Sequence, residues 1–249
     1  MKPFLVLLAV FVFTSGNLAE EKITIAVSAN AQYAMKAIEI LYEKETGKDI
    51  ELIIGSSGKL TAQIREGAPF DIFMSADMDF PNQLHKEGLT LGEPKVYAYG
   101  SLVLWSLTIE EGLIMKSLLA ANVKSIAIAN PKLAPYGVAA VDVMKYYKLY
   151  DAVEKKIVYG ESISQVNQYI TSKSADVGFT AKSVVMSPEM QGKGRWIDID
   201  KKAYTPIEQG AVVLKHANGN KTDADAFYNY IYSAKAQNIL KKYGYQFTK

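Results

Sequence analysis

The feature that most constrains the fold is a unit that recurs along the chain: a buried strand, a short turn rich in hydrogen-bond donors, and a helix. The clearest copy has an apolar run at 50–54, a Gly-Ser-Ser-Gly turn at 55–58 and a helical segment that ends at Gly67. Comparable turns lie at 28–31, 135–137 and 162–164. Strand-length apolar runs that alternate with helical periodicity predict an α/β protein built on mostly parallel sheets.

Turns of this kind are suited to anion binding. The first N–H groups of a helix have no partner within the helix, and the helix dipole is positive at that end. Glycine lets the backbone approach a ligand closely, and serine adds a hydroxyl donor. Turns that follow parallel strands lie at one edge of a sheet, where open α/β sheets bind ligands. We therefore predict an anion site, although a structural helix cap would explain any single turn.

The order of the units predicts two lobes. The β-prone run 96–105 is interrupted by Gly100, and a glycine inside a strand often marks a bend. A later apolar run, 210–214, indicates a return to the first sheet. We predict that residues 22–102 plus 210–249 form lobe I, that residues 103–209 form lobe II, and that the ligand cleft lies between them.

Composition excludes several classes of function. The chain has 28 Lys and Arg against 26 Asp and Glu, with no long basic block, which argues against a nucleic-acid partner. Cysteine is absent, so disulfides, thiolate metal sites and a lipidated cysteine are excluded. His85 and His216 stand among polar residues and are predicted to lie at the surface.

The N-terminus has the pattern of a secretory signal peptide. Lys2 is followed by the apolar run 4–13 and by small residues before a charged stretch at 20–22. We predict a signal peptide at 1–19 with cleavage after Ala19, or alternatively after Gly16, and an exported mature protein. The apolar run is too short to span a bilayer comfortably.

Over essentially the whole mature chain, the sequence resembles the periplasmic molybdate-binding proteins of ABC transporters. The motifs that carry the resemblance lie at 28–31, 55–60, 67–77, 130–131, 135–137, 160–163, 227–230 and 242–245. The resemblance implies an α/β, two-lobe periplasmic-binding-protein-like fold (type II), in which each lobe is a mostly parallel sheet flanked by helices. It also implies a monomeric periplasmic protein, not an enzyme, that needs no cofactor and passes molybdate or tungstate to a membrane permease.

The family holds a tetrahedral oxyanion through hydroxyls and main-chain N–H groups. The resemblance places these contacts, which reach the oxygens of molybdate and not the metal, at Asn30, Ser57, Tyr136 and Ile163, with Ser28 and Ala29 beside the first. Ser56 is the lesser candidate at the second turn. Whether Asn30 donates through its side chain or its main chain stays open.

Ala181 and Tyr136 depart from the family pattern. Some members close the pocket with a tyrosine hydroxyl in the stretch that corresponds to 178–181, and here that place falls on Ala181. Tyr136 stands where other members have a small residue. We predict that the Tyr136 hydroxyl replaces the missing one.

The predicted site contains only uncharged donors. None of the four turns places an arginine there, and Lys59 is predicted to face solvent. Such a pocket should reject hydrogen phosphate, because its buried O–H would lack an acceptor at a cost of about 1–3 kcal/mol. Sulfate has the same charge as molybdate and shorter bonds, so pocket size must separate the two anions. A sulfate or chromate carrier is therefore the nearest alternative.

Two further alternatives come from other kinds of chemistry. The stretch 56–59 matches the Ser-x-x-Lys motif of penicillin-interacting hydrolases, but the companion motifs are absent. Tyr146 and Tyr147 form the kind of pair that binds ferric ion, although we predict that they pack within lobe II. Asp77 is predicted to cap a helix or to line the cleft rather than to bind a cation.

Overall fold

The computed structural model describes residues 22–216 and 221–247, so the predicted signal peptide lies outside the described residues. The strands are β1 (Ile23–Ser28), β2 (Ile50–Gly55), β3 (Ile72–Met74), β4 (Lys95–Gly100), β5 (Leu102–Ser106), β6 (Ile126–Ala129), β7 (Ile157–Gly160), β8 (Val177–Ala181), β9 (Arg195–Asp198) and β10 (Ile207–Val213). The helices are α1 (Gln32–Thr46), α2 (Ser57–Arg65), α3 (Asp79–Lys86), α4 (Pro135–Tyr146), α5 (Tyr150–Val153), α6 (Ile163–Thr171), α7 (Lys182–Val185), α8 (Lys221–Ile231) and α9 (Ala234–Lys242). Short 3₁₀ segments lie at Ala29–Ala31, Met115–Leu119, Glu154–Lys156 and Lys201–Ala203.

The strands of lobe I form one five-stranded sheet in the order β2-β1-β3-β10-β4. The strand β1 runs parallel to β2 and β3, whereas β10 runs antiparallel to β3 and β4. Alternate side chains of β1 point to opposite faces. Ile25 and Val27 pack in one cluster with α1, α8 and α9, while Ala26 packs in another with α2 and α3. Both faces are therefore covered, which explains why the central strands are almost entirely apolar.

The strands of lobe II form a second five-stranded sheet in the order β7-β6-β8-β5-β9. The strand β6 is parallel to β7 and β8, and β5 is antiparallel to β8 and β9. Trp105 on β5 stands opposite Trp196 on β9, and its indole N–H donates to the carbonyl of Lys193 at 2.8 Å. Together the two sheets confirm the predicted α/β fold with two sheets flanked by helices.

The chain passes between the sheets twice. A single residue, Ser101, separates β4 from β5, and the return runs from the end of β9 to the start of β10. Leu102 pairs within the second sheet and Ile207 within the first. The chain therefore enters the second sheet at residue 102 rather than 103, and it returns to the first sheet at residue 207 rather than 210. The β-prone residues 204–207 predict a strand, but only Ile207 belongs to one, because Pro206 has no main-chain N–H to donate to a neighbouring strand.

Gly100 occupies the bend at the first crossing. A Cβ at this position would overlap the hydroxyl oxygen of Tyr136, which belongs to α4 of lobe II. The two lobes therefore pack closely here because residue 100 has no side chain. Within the described residues, no helix combines the length and apolar character needed to cross a membrane.

Candidate functional site

A small cavity lies between the lobes, where the starts of several helices meet. Its walls are formed by Ser28, Ala29, Asn30, Ser56, Ser57, Ala76, Ala134, Pro135, Tyr136 and Ile163. The space available to the centres of water-sized molecules is ≈ 10 Å³, about what a single water requires, so a larger ion can enter only if the walls move apart. All six residues that the resemblance implied, together with Ser56, thus lie around one cavity although they are far apart in the sequence.

The helix starts explain why these residues meet. Ser57 is the first residue of α2, Tyr136 the second of α4 and Ile163 the first of α6, while Asn30 lies in the 3₁₀ segment that leads into α1. Main-chain N–H groups at such positions lack partners within their helices, and the helix dipoles are positive there. No charged side chain belongs to the described part of the cavity wall. The cavity can therefore attract a negative ion without a cationic side chain.

The two serines of the second turn have different roles. The Ser57 Oγ accepts a hydrogen bond from the main-chain N–H of Ala76 at 3.0 Å, and the pair is buried. A hydroxyl that accepts in this way still has its own hydrogen to donate. Ser56 is the N-cap of α2, and its Oγ accepts from the N–H of Lys59 at 3.4 Å. Ser57 is therefore the better candidate for a contact to an anion.

The side chain of Asn30 is already engaged by other residues. Its Nδ2 donates to Oε1 of Gln209 at 2.6 Å and to the hydroxyl of Tyr245 at 3.0 Å, and its Oδ1 accepts from the Ser28 hydroxyl at 2.8 Å. Both hydrogens of the amide are therefore used within the protein. The group of Asn30 that can still donate to a ligand is its main-chain N–H. The Ser28 hydroxyl donates to the Asn30 side chain and not into the cavity.

Tyr136 carries a hydroxyl that is buried and makes no hydrogen bond with any described residue. Burial raises the pKa of Tyr136 well above its ordinary value, and the neighbouring Asn30 side chain offsets only part of that rise. The hydroxyl therefore stays protonated and can act as a donor. Ala181, by contrast, lies in β8 opposite Leu102 and contributes nothing to the cavity wall.

Three contacts between the lobes surround the cavity. The N–H of Gly58 donates to the carbonyl of Leu133 at 2.9 Å. The hydroxyl of Ser164 on α6 donates to the side chain of Gln32 on α1 at 3.0 Å. The ammonium of Lys59 lies 2.7 Å from a carboxylate oxygen of Glu161. Both side chains stay about half exposed, as predicted for Lys59, so the ion pair contributes only about 0–1 kcal/mol.

Asp77 acts as a helix cap at the border of a larger groove. Its Oδ1 accepts from the N–H of Phe80 at 3.2 Å and from the Ser75 hydroxyl at 2.9 Å, as the capping prediction requires. The adjoining groove, of ≈ 380 Å³, shares Ala76 and Pro135 with the small cavity. Burial raises the pKa of Asp77 to about 6.

We expect the replacement Asp77→Asn to stabilise the fold at neutral pH. The folded pKa of Asp77 lies above the unfolded one, so the folded protein binds more protons between about pH 4 and 6, and stability falls as the pH rises through that window. Asn can still accept both hydrogen bonds and carries no charge. Thermal unfolding should show a gain of about 1–2 kcal/mol near pH 7.5 that vanishes near pH 4. A gain that is independent of pH would contradict this origin.

The ferric-ion alternative finds no support in the structure. Tyr146 and Tyr147 lie at the far end of α4 from the cavity and are 54% and 38% exposed, so the prediction that they pack within lobe II was wrong. Their rings contact each other edge to face at 5.2 Å. Among residues 22–216 and 221–247, no group of three or more His, Asp or Glu side chains is arranged to hold a metal ion.

Comparison with known proteins defines the class. Residues 23–246 match the model of the family described as bacterial extracellular solute-binding protein, and the chain belongs to this family. The chain is therefore a solute-binding protein and not an enzyme, and the Ser-x-x-Lys hydrolase alternative is discarded.

The particular relatives are named for one ligand. The molybdate-binding protein ModA of Azotobacter vinelandii is 38% identical over 230 residues, which cover 90% of this chain and 89% of that one. ModA of Rhodobacter capsulatus is 37% identical over 232 residues, with 91% and 89% covered. The solved structure of the Azotobacter vinelandii periplasmic molybdate-binding protein superposes with a TM-score of 0.85 at 32% identity, covering 92% of this chain and 100% of that one.

The sequence interpretation missed the residues that surround Asn30. Gln209 is a fully buried polar side chain within the apolar strand β10, Tyr245 follows α9, and Ser183 lies in α7. Two signals were available: an amide inside an apolar run, and the motif at 242–245 that carried part of the resemblance. Neither signal indicates which residue the side chain would contact.

Proposed function

We propose that this protein captures molybdate in the cavity between its lobes and delivers it to the membrane permease of an ABC transporter. The observation that carries the proposal is the convergence of four helix starts, all with uncharged donors, on one cavity. The names of the ModA relatives support molybdate as the ligand. Tungstate, which is nearly the same size, should bind as well.

The chemistry of the wall suits a bare dianion. Hydrogen bonds from neutral donors to a charged acceptor are strong, and they gain further strength where water is excluded. The donors we assign to the anion are the main-chain N–H groups of Asn30, Tyr136 and Ile163, together with the hydroxyls of Ser57 and Tyr136. A protonated anion would bring a hydrogen for which this wall offers no carboxylate acceptor.

The cavity also explains how a ligand could favour the closed form. Asn30 and Ser57 belong to lobe I, whereas Tyr136 and Ile163 belong to lobe II. An anion that bridges the lobes binds the closed arrangement better than an open one, and it shifts the equilibrium by that difference in affinity. We propose that the permease recognises this closed form.

Calorimetric titration of the purified exported protein with molybdate, tungstate, chromate and sulfate tests the proposal. We expect molybdate and tungstate to bind in similar ways and at least about a hundredfold more tightly than sulfate, a difference of roughly 3 kcal/mol. Hydrogen phosphate should not compete. Sulfate that binds as tightly as molybdate would refute the proposed ligand while leaving the oxyanion site intact.

We propose further that the mature protein is periplasmic and monomeric, is cleaved after Ala19 or Gly16, and needs no cofactor. The pattern of the first 22 residues supports export. Mass spectrometry of the exported protein would identify the cleavage site. A mature form that still contains the apolar run 4–13 would contradict this proposal.

A further inference from the structure

A second group of side chains surrounds the cavity without lining it. The carbonyl oxygen of Asn30 accepts from the Ser183 hydroxyl at 2.6 Å and from the Tyr245 hydroxyl at 3.1 Å, and both contacts are buried. The Tyr245 oxygen also accepts from Asn30 Nδ2 at 3.0 Å and lies 3.4 Å from Ser183 Oγ. Neither Ser183 nor Tyr245 belongs to the cavity wall.

These bonds leave Asn30 very little freedom. Its carbonyl is held by two hydroxyls, its amide nitrogen by Gln209 and Tyr245, and its amide oxygen by Ser28. The peptide plane that carries the Asn30 N–H adjoins this fixed residue, so the direction of that N–H depends on the surrounding contacts. A buried N–H group that has no acceptor, or that points away from it, costs free energy. An N–H group that is already held in the right direction makes a strong hydrogen bond to a charged acceptor.

The contact between Ser183 and Asn30 also joins the two lobes. Ser183 is in α7, which directly follows β8 of the second sheet, whereas Asn30 follows β1 of the first. Tyr245 comes from the segment after α9, at the end of lobe I. The hydroxyl of Ser183 therefore links the two lobes at Asn30 in this structure.

We propose that Ser183 and Tyr245 are positioning residues of the oxyanion site, which act by holding Asn30 so that its main-chain N–H points into the cavity. This inference rests on the proposed function. The Asn30 side chain then stabilises the position of its own main chain through these hydrogen bonds and makes no contact with the ligand. Because the Ser183 bond joins the lobes across the site, its loss should act mainly on the rate at which the ligand leaves.

The chain offers matched controls for both residues. Ser187 and Tyr97 carry buried hydroxyls that have no hydrogen-bond partner among the described residues. Ser187→Ala therefore controls for Ser183→Ala, and Tyr97→Phe controls for Tyr245→Phe. Each pair removes the same atoms from a buried position, but only one member of each pair loses a contact to Asn30.

Molybdate titration of these four variants tests the inference, with the Asn30 amide proton followed by NMR. We expect Ser183→Ala and Tyr245→Phe each to raise the Kd about tenfold, the effect of about one lost hydrogen bond. Dissociation should accelerate in Ser183→Ala, and the downfield shift of the Asn30 amide proton on binding should shrink in both variants. The two controls should match the wild type in Kd and in that shift.

The outcomes separate this inference from the proposed function. If the wild type binds molybdate and both variants match their controls, the positioning role is wrong and the transport proposal stands. If the wild type binds sulfate instead, the proposed ligand is wrong, and the same comparison with sulfate still tests the positioning role. If one of the two variants does not fold, the other still tests the inference. In that variant, a binding-induced shift of the Asn30 amide proton equal to that of the wild type would overturn the inference.

Discussion

Gly137→Ala is expected to lower the free energy of unfolding by about 3 kcal/mol, at the upper end of what overpacking usually costs. Gly137 lies in the first turn of α4, and a Cβ there would overlap the carbonyl oxygen of Ala129, with the Pro131 nitrogen only 2.9 Å away. These neighbours are backbone atoms, so they cannot move aside as a flexible side chain can. The start of α4 would have to shift, and Tyr136 would shift with it.

Urea unfolding of the variant and the wild type measures this effect. Gly92→Ala is the matched control, because a Cβ at Gly92 would meet no atom within 4 Å and its backbone conformation needs no glycine. We also expect molybdate affinity to fall in Gly137→Ala and not in the control. Equal stability of the two variants would show that α4 can move away from β6 without loss.

Ser57→Ala is expected to weaken molybdate binding by about 1–3 kcal/mol, the cost of leaving a charged acceptor without its partner. The Ser57 hydroxyl already accepts from Ala76, so its hydrogen is free to reach an anion. The substitution removes that donor and also leaves the buried Ala76 N–H unsatisfied. Calorimetry of the folded variant measures the change in Kd, and thermal unfolding measures the change in stability.

Ser56→Ala is the informative comparison for this prediction. Ser56 caps α2, so its loss should lower stability by about 1 kcal/mol and change the affinity less than Ser57→Ala does. The reverse order of affinities would move the ligand contact of the second turn from Ser57 to Ser56.

The fold was largely predictable because local patterns and tertiary packing agree. The apolar runs at 50–54 and 210–214 indicated β2 and β10, the glycine at 100 indicated the bend, and donor-rich turns preceded α2, α4 and α6. A prediction fails where long-range packing determines the outcome. Tyr146 and Tyr147 were predicted to pack within lobe II but are 54% and 38% exposed, because the local pattern does not show which part of α4 the rest of the lobe covers.

The site was predictable in part for the same reason. Helix starts are visible in the sequence, so the turns could be located from the pattern, and the resemblance then identified Ser57, Tyr136 and Ile163 within them. The environment of Asn30 was not visible in the sequence, because its partners are distant along the chain. Ser183 is 153 residues away and Tyr245 is 215 residues away, with Gln209 between them. Only the three-dimensional structure shows that its amide is engaged by other side chains.

The pairing of β5 with β9 has an optical consequence. The chain has 2 tryptophans, and they face each other within the second sheet, with Lys193 and Lys182 of the same lobe as polar neighbours. A rotation of the lobes at the two crossings would move both indoles as one body and leave their surroundings unchanged. Tryptophan emission should therefore follow the unfolding of lobe II and remain nearly constant during ligand capture, so a fluorescent reporter of closure has to be introduced at the cleft.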